Sequence, residues 1–219
     1  MRRFLLILGL AAIVVVAGAV VYLMWDLDWR WRPHTVTQHQ AEIAQALDQS
    51  GWVSPHLTGP KVYVILYPGC APCDANLPAA IPKLQAADVD TRMIVIARAD
   101  KNGQALSTPQ DRALTAELWT NRSWKLFQQM EPPVAGVPTS NPPAMMRLPV
   151  IPPADGDAAR SAVIEVGRQM ATTLTGQLRD NGVDFDYPTL IWWTKDGKMR
   201  ACACTSPQSF GFVEKELGA

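Results

Sequence analysis

Charge is scarce in this chain. Charged residues make up 18% of its 219 positions, against about 25% in an average soluble protein. Neither sign is in excess: 20 Lys and Arg balance 20 Asp and Glu. A formal net charge of zero argues against a nucleic-acid binder, which carries a basic domain or stripe. No block of like charges marks an interaction tail. Only three histidines are present; His34, His39 and His56 lack metal-ligand spacing and read as polar surface residues. There is no Gly-rich phosphate loop, no Ser/His/Asp set, no paired-carboxylate motif and no internal repeat. Four cysteines are too few for a disulfide-stapled mini-fold. Disorder throughout is excluded by the 48% hydrophobic content.

The shortfall of charge is concentrated at the N-terminus. Arg2 and Arg3 precede an uncharged run from Phe4 to Trp25. As a helix this run would be ~33 Å long, enough for a hydrocarbon core of ~30 Å. A cleaved signal peptide is the competing reading, with Ala17-Gly18-Ala19 as an A-x-A-like site. The apolar run continues past that site, and Trp25, Trp29 and Trp31 resemble an interfacial aromatic belt, which favours an uncleaved anchor. Either way the arginines stay in the cytoplasm and the remainder is exported to the periplasm or its equivalent. About 190 residues remain after the anchor, enough for a sizeable core.

Export changes how the cysteines read, because exported thiols meet oxidants. They fall in two close pairs, Cys70-x-x-Cys73 and Cys202-x-Cys204. Dithiol redox chemistry and a soft-metal site are the two readings.

The patterning places both pairs. Residues 1–25 read as the anchor and 26–60 as a juxtamembrane linker with one helix around 37–50. Lys61 to Tyr67 is an apolar, β-branched and aromatic run that reads as a buried strand. Pro68-Gly69 breaks it and the CxxC follows. Residues 71–87 are helical, with Leu77, Ile81 and Leu84 on one face and kinks expected at Pro78 and Pro82. Residues 91–97 read as a second buried strand. Thr108-Pro109 starts a helical region whose apolar face runs to about 130. Residues 131–153 hold eight of the 18 prolines and read as a surface loop, with Met145-Met146 as local packing. A further helix covers 155–181 and stops at Gly182. Residues 190–193 and 199–204 read as a hairpin around Lys195-Asp196-Gly197-Lys198. One of Trp192 and Trp193 is then expected to pack inward and the other under a helix. Ser206-Pro207 starts a last helix.

This order resembles the thioredoxin-like fold. VILYPGCAPCDANLP is similar to a thioredoxin active-site region, including a proline eight residues after the first cysteine. FDYPTLIWWTKDGKM resembles the family's cis-proline loop and following hairpin. The helical stretch containing ELWTNRSWKLFQQM is similar to the catalytic domains of the periplasmic disulfide isomerases DsbC and DsbG. The expected fold class is therefore α/β, thioredoxin-like over residues 61–219 with a helical insert at about 105–182, preceded by one transmembrane helix. Two departures stand out. Residue 69 is Gly where thioredoxins usually have Trp, and the strand before the CxxC carries no acidic residue. The ~35 residues before the first strand are also too few for the dimerisation domain of DsbC-type isomerases. The expectation is a membrane-tethered monomer.

The expected site follows from this. A cysteine at a helix N-terminus meets unpaired N–H groups and the positive end of the dipole, so Cys70 is the accessible nucleophile. Cys73, one turn later and more buried, closes or resolves the bond. By the resemblance, Pro188 is the cis-proline over the dithiol, and its loop offers backbone groups to a substrate strand. Clients are protein thiols and disulfides, with a membrane or periplasmic redox partner, no nucleic acid, no cofactor and no metal. Cys202 and Cys204 fall on one face at the end of a strand, with Cys204 expected near the groove beside Cys70. They read as buried structural thiols, as a second redox pair relaying electrons to the first, or as metal ligands. Same-face Cβ atoms in a regular strand are ~6.5–7 Å apart, so a bond between them requires local buckling. The competing functions are a copper-binding or metallochaperone domain using the four cysteines, and a non-catalytic scaffold.

Overall fold

The computed structural model describes residues 2–130 and 150–219, with side chains described from Ile13 onward except Leu27. The chain divides into two units, Met1–Arg32 and Pro33–Ala219.

The first unit is one helix, α1 (Arg2–Leu27), followed by a 3-10 turn at Trp29–Trp31. The apolar side chains from Ile13 to Trp25 are exposed. Arg30 pairs with Asp26 at 2.8 Å and lies over the rings of Trp25 and Trp31. Among the described residues no helix is long and apolar enough to cross a membrane. The side chains of residues 1–12, which make up the first half of the expected anchor, lie outside the described ones.

The second unit is built on a five-stranded mixed sheet. Its strands are β1 (His34–Thr35), β2 (Lys61–Leu66), β3 (Asp90–Val95), β4 (Thr189–Trp193) and β5 (Met199–Ala203), in the order β1-β5-β4-β2-β3. β2 and β3 are parallel, from Lys61 opposite Asp90 to Leu66 opposite Val95. A parallel pair needs a crossover, supplied here by α3 (Ala71–Ala86). β4 runs antiparallel to β2, with Ile65 opposite Thr189, and forms a hairpin with β5. The hairpin turn closes through Thr194 N–H to the Lys198 carbonyl at 3.0 Å.

The alternation of strand side chains divides the core into two layers. Val62, Val64, Leu66, Leu190, Trp192 and Cys202 face the layer formed with α3 and α7 (Pro207–Leu217). Tyr63, Ile65, Ile94, Ile191 and Ala201 face the other layer. There they meet Ile43 and Leu47 of α2 (Gln40–Gln49) and Leu174 and Leu178 of α6 (Ala158–Arg179). The indole N–H of fully buried Trp192 donates to Glu216 of α7 at 3.1 Å, while Trp193 packs against the opposite layer.

Two parts of the second unit differ from the expectation. Residues 33–60, read as a linker, are part of the second unit. β1 pairs with β5, the side-chain carbonyl of Asn181 accepts from the backbone N–H groups of Thr37 and Gln38 at 2.7 and 2.9 Å, and Val53 bridges Met93. Gly51 belongs to this packing: a Cβ there would collide with the Trp119 indole and backbone. The helical run expected to reach 130 is two helices, α4 (Pro109–Asn121) and α5 (Trp124–Met130). Arg122 takes a left-handed conformation (φ 49°), and the Ser123 hydroxyl accepts from the N–H of Leu126, starting the second helix. Residues 131–149, including most of the proline-rich stretch and Met145-Met146, lie outside the described residues.

Candidate dithiol site

The site forms where β2 ends. Tyr67-Pro68-Gly69 turns the chain, with Gly69 at φ +75° and open space around it. Left-handed backbone disfavours any residue with a Cβ, which accounts for the glycine at this position. Cys70 is then the N-cap of α3. Its Sγ accepts from the Cys73 backbone N–H at 3.3 Å, taking the place of the Ser or Asp oxygen usual at an N-cap. Pro72 sits in the first turn, where a missing N–H costs nothing. Cys70 and Cys73 are disulfide-bonded, with Cα atoms 5.2 Å apart.

Cys70 does not lie at an accessible helix start as expected. It is 0% exposed and Cys73 2%, because its sulfur turns inward, bonds to Cys73 and joins the apolar layer beneath α3. Two opposing effects therefore act on the reduced thiol. The helix end and the Cys73 N–H favour the thiolate, while burial favours the neutral thiol. Asp74 adds to the second effect through its negative charge one residue after Cys73. Partial burial raises its own carboxyl above the ordinary value.

The remaining candidate residues converge on this helix end. The Tyr187–Pro188 peptide is cis, Pro188 is buried, and its carbonyl accepts from the Cys204 N–H at 2.9 Å. Cys204 lies just past β5, in a tight turn closed by Thr205 N–H to the Ala203 carbonyl at 3.0 Å. That turn draws the Cα atoms of Cys202 and Cys204 to 5.2 Å. The two cysteines are disulfide-bonded rather than free thiols. The regular-strand spacing that opposes such a bond is absent because β5 has already ended at Ala203. All four cysteines share one buried apolar cluster.

Several site residues were not singled out in the sequence. Asn76 donates from Nδ2 to the Pro72 carbonyl at 2.8 Å and to the Thr205 carbonyl at 3.4 Å, tying the CxxC turn to the segment after β5. An asparagine inside a helix, a poor place for it unless its side chain has a backbone partner, was the available signal. Tyr67 and Tyr187 meet edge to face at 5.0 Å, and Phe185 meets Tyr187 at 5.3 Å. Arg98 lies 3.9 Å over the Tyr67 ring. Burial pushes the Tyr187 phenol up to about 12, against the opposing charge of Arg98. Tyr67, Tyr187 and Trp124 are partly buried against the cysteine-containing cluster, and the paired Tyr67 and Tyr187 form an aromatic rim on it.

Among the described residues no group of three or more His, Cys, Asp or Glu side chains is arranged to hold a metal ion. No protein-family model matches the chain, and no curated protein matches it. A mixed sheet with a close Cys70–Cys73 pair at a strand-to-helix junction is compatible with a thioredoxin-like fold and with thiol–disulfide redox chemistry.

Proposed function

We propose that the chain is a thiol–disulfide oxidoreductase that exchanges disulfides with protein thiols through Cys70 and Cys73. The observation that carries this reading is the Cys73 N–H directed at the Cys70 sulfur at the first turn of a 16-residue helix. That geometry stabilises negative charge on the attacking sulfur.

In the reducing direction the Cys70 thiolate attacks one sulfur of a client disulfide. A Cys70–client bond forms, the client bond breaks, and one client sulfur leaves as thiolate. The Cys73 thiolate then attacks the Cys70 sulfur, the mixed bond breaks, and the second client thiolate leaves. Two electrons pass to the client, and the two thiol protons of the pair end on the client sulfurs. Oxidation of a client dithiol is the reverse sequence. Attack requires the apolar cover of Cys70 to open, and the half-buried aromatic rim gives an extended client segment apolar surface to replace it. Pro188 belongs to the site as the positioning residue of the neighbouring loop.

The resemblance to the catalytic domains of DsbC and DsbG supports this reading. The Arg2-Arg3 pair and the uncharged Phe4–Trp25 run of the sequence support a single-pass anchor, with the second unit outside the cytoplasm acting as a tethered monomer.

The test uses the reduced full chain and a disulfide-containing protein. Cys70→Ser is expected to abolish exchange, and Cys73→Ser to accumulate mixed disulfides. Alkylation of Cys73 at lower pH than Cys70 would reverse the assigned roles, and exchange that survives in both variants sinks the reading.

A further inference from the structure

We infer that Cys202 and Cys204 form a second redox pair that exchanges electrons directly with Cys70 and Cys73, through a Cys73–Cys204 mixed disulfide. The inference rests on the redox reading of the first pair and adds an internal partner for it.

Three observations converge. One Asn76 nitrogen binds both the Pro72 carbonyl, bonded to the nitrogen of Cys73, and the carbonyl of Thr205, the neighbour of Cys204. The chain beside Cys73 and the chain beside Cys204 therefore adjoin. The Cys204 N–H is anchored on the carbonyl of cis Pro188, so the second pair is held by the loop assigned to the first. Finally, Cys202 and Cys204 are 5% and 0% exposed, within the apolar cluster that also holds Cys70 and Cys73. A sulfur pair buried there has another sulfur pair in its own core. A purely structural cross-link has little to do at this position, because it closes a loop of one intervening residue and constrains the unfolded chain very little.

The step needs no reactant beyond the two pairs. Take the chain with Cys70–Cys73 oxidised and Cys202 and Cys204 reduced. The Cys204 thiolate attacks the Cys73 sulfur, the Cys73–Cys204 bond forms, and Cys70 leaves as thiolate. The Cys202 thiolate then attacks the Cys204 sulfur, the Cys202–Cys204 bond forms, and Cys73 leaves as thiolate. Two electrons move from the second pair to the first, and the two protons lost by Cys202 and Cys204 are taken up by Cys70 and Cys73. The reverse sequence carries electrons the other way. An outside dithiol or disulfide then resets whichever pair has been left oxidised or reduced.

The experiment uses the oxidised full chain in detergent, given one equivalent of dithiothreitol. Acid quenching at intervals, alkylation and peptide mass spectrometry count thiols in each pair. Electrons first found on one pair are expected to redistribute to the other at a rate unchanged by about tenfold dilution, as an intramolecular step requires. In parallel, Cys70→Ser/Cys202→Ser, checked by circular dichroism for wild-type structure, is expected to yield a Cys73–Cys204 cross-linked peptide on oxidation. Cys70→Ser/Cys204→Ser is expected to yield several-fold less of the Cys73–Cys202 peptide. Redistribution that slows in proportion to dilution overturns the inference. So does the absence of both redistribution and the cross-linked peptide. If the Cys70–Cys73 pair still exchanges with a protein disulfide in those cases, only the relay is lost. If it exchanges with nothing, the redox reading fails as well.

Discussion

Asn76 and Thr205 are 129 residues apart in sequence, and the Asn76 amide nitrogen reaches the Thr205 carbonyl at 3.4 Å. The same nitrogen lies 2.8 Å from the carbonyl of Pro72, inside the CxxC. Asn76→Ala leaves two acceptors with little water to replace the donor, a loss of about 1–3 kcal/mol. Asn76→Asp goes further at neutral pH, because a carboxylate cannot donate and faces two carbonyl oxygens. Thermal unfolding followed by circular dichroism should rank the proteins wild type, Ala, Asp in falling stability. A wild-type midpoint for Asn76→Asp would show that this bridge contributes nothing.

Asp74 places a carboxylate one residue beyond Cys73, in the turn that otherwise favours negative charge on Cys70. Removing it leaves the helix end unopposed. Asp74→Asn is expected to move the Cys70 thiol pKa downward and to speed its alkylation about two- to fivefold near pH 6. Iodoacetamide labelling of the reduced chain across a pH series reads this directly. An unchanged or upward-shifted profile means that Asp74 is screened from the thiol.

Tyr63 and Tyr187 both have phenols pushed up to about 12 from an ordinary 10.0, chiefly by burial. The Tyr63 hydroxyl also donates to Asp48 at 2.6 Å and accepts from Arg92 at 2.7 Å. An acid whose pKa is raised by folding holds its proton longer when folded. Stability from these groups is therefore complete below pH 10 and falls as pH rises from 10 to about 12, where only the unfolded chain releases the protons. Tyr187→Phe should flatten the alkaline loss of stability and remove part of the phenolate absorbance that develops near pH 12. A wild-type alkaline slope in this variant would place the loss elsewhere.

Gly51 and Gly69 differ in why they are glycine. Gly69 is left-handed in open space, so Gly69→Ala meets backbone strain alone, about 1 kcal/mol. Gly51 lies flat on Trp119, and Gly51→Ala must displace an indole and its backbone at about 1–3 kcal/mol. Urea unfolding should find Gly51→Ala the less stable variant. Because Gly69 sets the entry to Cys70, Gly69→Ala should also slow disulfide exchange, which Gly51→Ala should not.

For the proposed anchor, a reporter fused after Ala219 should be active only outside the cytoplasm, and the protein should remain with membranes after carbonate washing. A soluble product starting near Val20 would show instead that the N-terminal segment is cleaved.

What could be read from the sequence was local. The run KVYVILY, the Pro68-Gly69 break and the CxxC that follows give a strand, a turn and a helix start within a few residues of each other. The N-caps Thr108 and Ser206 announce themselves because capping is a contact between residues three apart. The Lys195–Lys198 turn between two apolar runs is a hairpin for the same reason. The resemblance to thioredoxin-like sequences then linked two distant motifs, the CxxC and Tyr187-Pro188-Thr189, that no local rule connects.

Tertiary structure decided everything that depends on partners far along the chain. His34 and Thr35 form a strand only because Ala201 and Arg200 offer an edge to pair with, so residues 33–60 could not be told from a linker by composition. Cys70 looks accessible as a helix N-cap, yet its exposure is set by the apolar cluster around it, which draws on residues from Val53 to Leu217. Cys202 and Cys204 alternate correctly for two free thiols on one strand face. Whether they bond depends on where β5 stops, and that is set by the bonds of Cys204 to Pro188 and of Thr205 to Ala203. Periodicity fixes which way a side chain leaves the backbone; what waits for it there is a property of the folded chain.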